Sequence, residues 1–209
     1  TKSLSEGEDR EKELLFQLLY GSGLRISEAS QLQWKDIDVA KGFDLIVGTT
    51  TGGIIAAGLA AGFAPSALVD LFRSVGPQLF TRPIPDTPLR LARWALGSLL
   101  RAANSDESLR SALGKAFGDE TLDGVYKRRK IALCIPSVNM ATGQSIVFKT
   151  PHLPNLTRDR KYRLADVCFS TSAAPIYLPI AALRDPDDPL REKILVDGGL
   201  WANNPVLIG

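Results

Sequence analysis

Residues 48–53 read Gly-Thr-Thr-Thr-Gly-Gly and follow the mostly apolar run Phe43-Asp44-Leu45-Ile46-Val47. A hydroxyl residue between spaced glycines, on a sharp strand-to-helix turn, is the pattern that exposes a nucleophile. Gly48 and Gly52 stand two residues before and two after Thr50, so Thr50 is the centre of a G-x-[S]-x-G elbow. The spacing has a steric reason, since a tight turn leaves no room for side chains on its flanks. Gly53 carries the run of small residues into the helix that should follow. The free N–H groups at the start of that helix would face developing negative charge. A glycine-rich turn of this kind also serves packing or phosphate binding. This one lacks the lysine of a G-x-x-x-x-G-K-[ST] loop and the spacing of a dinucleotide-binding G-x-G-x-x-G.

A hydroxyl nucleophile needs a base. Near its other end the chain reads Val196-Asp197-Gly198-Gly199-Leu200-Trp201-Ala202-Asn203-Asn204-Pro205. Asp197 leaves a strand there into a loop opened by Gly198 and Gly199. An ordinary Asx-turn would give the same pattern. The histidine count separates the chemistries. The chain has one histidine, His152, and it precedes Asp197. An α/β-hydrolase triad runs nucleophile, acid, histidine, so that order fails. His152 reads as a loop residue, and Asp197 is the best remaining base. A carboxylate is a weak base in water. It works better shielded from solvent, within hydrogen-bond reach of the hydroxyl. A single histidine also removes most histidine-based metal sites, and neither a metal nor a cofactor is expected.

The elements that must position these residues follow from periodicity and punctuation. Helices are expected over 8–20, 26–33, 51–62, 65–80, 89–103, 106–117 and 164–174. Strands are expected over 43–47, 130–136, 145–149 and 193–196. Strands alternating with helices predict an α/β fold with a mainly parallel sheet. Apolar residues are 44% of the chain, enough for a sizeable core, and the formal charge of +2 is too small for a strong field toward nucleic acid. The two cysteines, Cys134 and Cys168, lie in apolar contexts and read as buried thiols, which suggests a reducing, cytoplasmic compartment. Residues 1–13 carry no apolar core of a signal peptide. The longest apolar stretch, 43–64, is broken by its polar turn and is not expected to span a membrane.

Three motifs in this order resemble the patatin-like phospholipases. They are the elbow over 43–53, Ser170-Thr171-Ser172-Ala173-Ala174-Pro175, and Val196-Asp197-Gly198-Gly199 with Asn203-Asn204-Pro205. The resemblance implies a three-layer α/β sandwich of patatin-like type over residues 41–209. It implies a phospholipase A-type lipid acyl hydrolase using a Ser–Asp dyad and no metal. Thr50 then holds the nucleophile position and Asp197 that of the general base. The implied substrate is a phospholipid or another acyl-ester lipid, met by peripheral membrane contact. Ile135-Pro136-Ser137 and Phe148-Lys149-Thr150 are similar to bacterial members, some of which act as phospholipase effectors in antiviral signalling. The expected helix over 89–103, with Trp94 and three arginines, suits a lipid surface or simple packing on the sheet.

Two departures from the family pattern bear on activity. Threonine replaces serine at the elbow, and a β-branched residue tolerates a strained backbone poorly. The family's glycine-rich oxyanion loop, D-G-G-G-x-[RK]-G, has only a partial echo in Gly21-Ser22-Gly23-Leu24-Arg25, so Gly23, Leu24 and Arg25 are weak oxyanion candidates. Activity is expected to be low. Residues 1–40 are expected to form a short helical segment. Within it, Leu18–Ala29 and Leu32–Asp38 resemble tyrosine recombinases around their first catalytic arginine, which maps to Arg25. No H-x-x-R box accompanies it, and nucleic-acid binding is not expected. The chain then reads as a recombinase fragment joined near 39–42 to a patatin core lacking its first strand, or as a divergent patatin with a chance likeness. A catalytically inactive patatin-like protein and a chimeric product are the competing functional readings.

Overall fold

The computed structural model describes residues 43–79, 106–175, 177–188 and 190–208. The helices expected over 8–20, 26–33 and 89–103, the Gly23-Leu24-Arg25 echo and the whole recombinase-like segment lie outside these residues.

The apolar run before the elbow forms a short strand, β1 (Leu45–Val47). It feeds directly into helix α1 (Thr51–Ala61), in which every residue but Thr51 and Leu59 is buried. A helix with no polar face must be enclosed, and the alanines and glycines of α1 meet that condition. Helix α2 (Pro65–Leu79) follows, then α3 (Glu107–Phe117). Leu109, Leu113 and Phe117 are the buried stripe of α3, four residues apart along one face. Helix α4 (Leu122–Arg129) was not among the expected elements. The Thr121 hydroxyl starts it by accepting the Gly124 N–H at 3.1 Å.

Strand β2 (Ala132–Asn139) runs three residues beyond its expected end at Pro136. Strand β3 (Gln144–Lys149) turns back along it. Helix α5 (Leu164–Ser172) is buried at every residue except Asp166. Strand β4 (Ala181–Arg184), also unexpected, pairs with β5 (Glu192–Asp197).

The sheet is mixed, which corrects the expectation of a mainly parallel one. Among the described strands β1 pairs parallel with β2, while β2–β3, β2–β5 and β4–β5 are antiparallel. The reason is local. β2 and β3 are joined by a tight turn at 140–143, and β4 and β5 by a short loop, and such connections produce antiparallel neighbours. The core gathers Leu133, Ile135, Phe148, Leu164, Val167 and Leu195. Phe148 and Tyr162 meet edge to face there, with centroids 5.3 Å apart.

One feature of the pairing positions the site. β3 pairs with β2 over Cys134–Asn139. β1 pairs with Ala132–Cys134 and β5 with Ser137–Asn139. Cys134 has partners in both β1 and β3, and Ser137 in both β3 and β5, so β1 and β5 share one edge of β2. β1 runs parallel to β2 and β5 antiparallel, so their C-terminal ends point at each other across Ile135 and Pro136. Proline fits in that gap, since its missing N–H deprives no strand of a bond.

Candidate active site

The head-to-head strand ends bring the two expected residues together. Thr50 leaves β1 and Asp197 ends β5. Thr50 Oγ1 donates a hydrogen bond to Asp197 Oδ1 at 2.5 Å, across 147 residues of sequence. The Gly199 N–H donates to the same oxygen at 2.7 Å. The Asx-turn reading and the base reading of Asp197 are therefore compatible: the turn fixes the carboxylate, and the fixed carboxylate meets the hydroxyl. Asp197 is only 7% exposed. Burial raises its pKa above the usual aspartate value, and the bonds from Thr50 and Gly199 partly offset the rise. A raised pKa makes a carboxylate a better proton acceptor.

The elbow is strained at its tip. Thr50 has φ 54° and ψ −127°. A positive φ at a β-branched residue costs on the order of 1–3 kcal/mol. Gly48 makes the bend sterically feasible. A Cβ at Gly48 would stand 2.1 Å from the Gly52 carbonyl oxygen. Gly52 is buried in the first turn of α1, and the Gly53 N–H turns back onto the Thr49 and Thr50 carbonyls at 3.1 and 3.0 Å. Among the described residues no hydrogen bond takes the N–H of Thr51 or Gly52. Both lie in the first turn of α1, directly after Thr50, and N–H groups at a helix N-terminus favour negative charge. The remaining oxyanion candidates, Gly23, Leu24 and Arg25, lie outside the described residues.

Gly198 seats the second half of the site against β2. A Cβ there would fall 2.2 Å from the Pro136 carbonyl oxygen and 2.7 Å from Thr49 Oγ1. Gly198→Ala is expected to destabilise the fold by about 1–3 kcal/mol, because the backbone of β2 must shift to admit it. Urea denaturation monitored by circular dichroism checks this, and an unchanged midpoint refutes it.

Beside Thr50 lies a cavity of about 300 Å³. Its walls include Ile54, Leu71, Phe72, Val75, Leu109 and Leu113. They come from α1, α2 and α3, and Thr50, Thr51 and Ser172 contribute the polar rim. An apolar chamber with a few convergent polar groups is the usual form of a small-molecule site.

Sequence reasoning gave no role to several residues that the site uses. The Thr50 N–H donates to Thr171 Oγ1 at 3.0 Å, and Ser172 Oγ donates to the Thr50 carbonyl at 3.1 Å. Ser137 Oγ donates to the Val196 carbonyl at 2.8 Å and Trp201 Nε1 to the Ser137 carbonyl at 3.1 Å, tying β5 and its loop to β2. A signal existed: three consecutive hydroxyl residues, 170–172, in a helix otherwise apolar but for Asp166. His152 bonds Thr150 Oγ1 at 3.0 Å, near the start of β2, and not the dyad. Among the described residues no group of three or more His, Cys, Asp or Glu side chains could hold a metal ion.

Comparison with known proteins gives a family match for the chain. A model described as patatin-like phospholipase matches residues 20–208. The chain belongs to the patatin-like phospholipase family. The match begins inside the segment read above as a separate N-terminal unit. The cGAMP-activated phospholipase of Escherichia coli (strain TW11681) is 37% identical over 179 residues, covering 84% of this chain and 45% of that protein. The protein of the same name from Pseudomonas aeruginosa (strain BWHPSA011 / Pa011) is 37% identical over 172 residues, covering 82% of this chain and 46% of its own length. Patatin-like protein 1 of Oryza sativa subsp. indica is 32% identical over 207 residues, covering 91% of this chain and 47% of that protein. This patatin-like chain thus spans a little under half the length of these relatives. Among its described residues no helix is long and apolar enough to cross a membrane.

Proposed function

We propose that this chain carries the nucleophile and base of a lipid acyl hydrolase acting on phospholipids or related acyl esters. The observation that carries the reading is the 2.5 Å contact between Thr50 Oγ1 and Asp197 Oδ1 at the rim of an apolar cavity. Asp197 takes the Thr50 proton as Oγ1 attacks the ester carbonyl. The carbonyl electron pair moves onto oxygen, facing the N-terminus of α1. Collapse expels the alcohol, which leaves with the proton held by Asp197. Water then gives a proton to Asp197 and attacks the acyl-threonine ester. Collapse of that second intermediate returns the proton to Thr50 Oγ1 and releases the fatty acid. The walls of α1, α2 and α3 take the acyl chain out of water.

The test is release of fatty acid from phosphatidylcholine or phosphatidylglycerol vesicles, compared with Asp197→Ala. Two bacterial relatives are named for activation by cGAMP, so the assay is run with and without that nucleotide. Release that depends on Asp197 supports the reading; equal background in both proteins under both conditions refutes it. The inactive alternative draws on the strained, branched Thr50, and the same comparison decides between them.

The cavity makes a separate prediction. Val75 is buried in its wall. Val75→Phe should shorten the chamber and cut turnover of long-chain p-nitrophenyl esters by about 10-fold relative to the butyrate. An unchanged ratio of kcat/KM across chain lengths would place the acyl chain elsewhere.

A further inference from the structure

We infer that Thr171 and Ser172, at the C-terminal end of α5, are positioning residues that hold the two peptide groups flanking Thr50, one on each side of its Cα. The inference rests on the reading of Thr50 as the nucleophile. The Thr50 N–H donates to Thr171 Oγ1 at 3.0 Å, and Ser172 Oγ donates to the Thr50 carbonyl at 3.1 Å. Thr171 gives its own proton to the Pro136 carbonyl at 2.6 Å. Its lone pairs are thereby turned toward Thr50. Pro136 lies in the gap where β1 and β5 meet, so its carbonyl is available to a side chain. The result is a chain of bonds from the middle of β2 through Thr171 to the elbow.

A residue at φ 54°, ψ −127° keeps that conformation only where its surroundings impose it. Three bonds do so here: those of Thr171 and Ser172, and the Gly53 N–H on the Thr50 carbonyl at 3.0 Å. A change in the Thr50 φ and ψ angles would swing Oγ1 away from Asp197. Packing alone does not explain the two hydroxyls. Thr171 and Ser172 are 0% and 7% exposed. Burying hydroxyls is unfavourable unless each is bonded, and alanine or valine would fill the same space. Ser170 differs, since its hydroxyl turns back to the Asp166 carbonyl of its own helix at 2.8 Å. Thr171 also packs its methyl where a Cβ on Gly53 would stand, 2.7 Å from Cγ2. Thr171→Val therefore keeps the shape and removes only the hydroxyl.

The experiment reads ester hydrolysis by Thr171→Val, Thr171→Ser and Ser172→Ala, each in the native chain and with Thr50→Ser, together with amide hydrogen exchange at Thr50. Thr171→Val should lower kcat by about 10- to 100-fold with KM within about twofold, the signature of a displaced nucleophile and not of lost binding. Thr171→Ser should restore most of that loss. Ser172→Ala should lower kcat by roughly 3- to 10-fold, since the Gly53 N–H stays on the Thr50 carbonyl. The Thr50 amide should exchange about 10-fold faster in Thr171→Val, relative to Leu133 in β2, for the loss of one hydrogen bond. Unchanged kcat in a folded Thr171→Val, or a loss carried by KM, overturns the inference. If Thr171→Val does not fold, Ser172→Ala decides, and unchanged kcat there overturns it. If neither background hydrolyses any ester, the nucleophile reading fails by itself. The Thr50 exchange rate then still decides the clamp: faster exchange in Thr171→Val or Ser172→Ala supports it, and unchanged exchange overturns it.

Discussion

Asp197→Asn is expected to lower ester hydrolysis by about 100- to 10,000-fold, the range for removal of a positioned general base, while making the folded protein more heat-stable at neutral pH. Asparagine preserves the shape, and its Oδ1 can still accept from the Gly199 N–H and the Thr50 hydroxyl. It cannot take the proton. The stability change follows from linkage. Asp197 is buried, and its pKa in the folded state is raised above the ordinary value of 3.8. The folded protein therefore keeps this proton to a higher pH than the unfolded chain does. Stability falls as pH rises from 3.8 through the folded pKa, and the penalty persists above that window. Asparagine is neutral throughout and carries no such penalty. The melting temperature of Asp197→Asn should exceed that of the native chain at pH 7, and the difference should vanish as pH falls below the ordinary aspartate range. The same shift governs activity. In the proposed mechanism Asp197 accepts a proton only when ionised, so kcat/KM should fall on acidification at a pH above that of an exposed aspartate. Scanning calorimetry and a pH–rate profile check both halves. Full activity in Asp197→Asn would remove Asp197 from the chemistry, and a lower melting temperature at pH 7 would refute the burial argument.

Thr50→Ser is expected to raise hydrolysis by about 10- to 100-fold, on the scale that a small displacement of a reacting atom costs. The hydroxyl itself is already in place, 2.5 Å from its acceptor. What the serine would remove is the methyl group. In the proposed mechanism that methyl would crowd the approaching ester carbonyl, and β-branching makes φ 54° harder to hold. Serine keeps the oxygen, the bond to Asp197 and the backbone contacts of Thr171 and Ser172. The gain should appear in kcat more than in KM, because the methyl acts on the attack and not on the acyl chamber. Steady-state kinetics on a short-chain p-nitrophenyl ester, with Thr50→Ala as the blank, would measure it. A Thr50→Ser enzyme no faster than the native chain would show that something other than the methyl limits the reaction.

Much of this site was legible in the sequence because its parts are local. The elbow needs only glycines at the right spacing around a hydroxyl, after an apolar strand and before a helix of small residues. That is readable from residues 43–62, and β1 and α1 begin and end within two residues of expectation. Asp197 was legible from its strand exit and from the one misplaced histidine. The family followed from three motifs in order, and the match over residues 20–208 bears that out. What was missed had weaker local signals. β4 is four residues long, with alternating burial between Pro179 and Asp185, too short to stand out. α4 holds a glycine and ends in three basic residues, so only the Thr121 cap marked it. Pro136 was read as the end of a strand that in fact continues to Asn139.

By itself, then, the sequence determined the chemistry on offer: a hydroxyl at a glycine-flanked turn, an aspartate leaving a strand, no histidine to join them. It could do so because turn geometry and residue type are properties of a few neighbouring positions. Only the tertiary structure decided that the two meet. β1 and β5 approach along one edge of β2 from opposite directions, a consequence of mixed pairing that no local pattern encodes. The same arrangement leaves the Pro136 carbonyl open between them, and α5 uses it to hold the elbow. Those contacts join residues from 35 to 121 positions apart, and they depend on which edge each strand occupies.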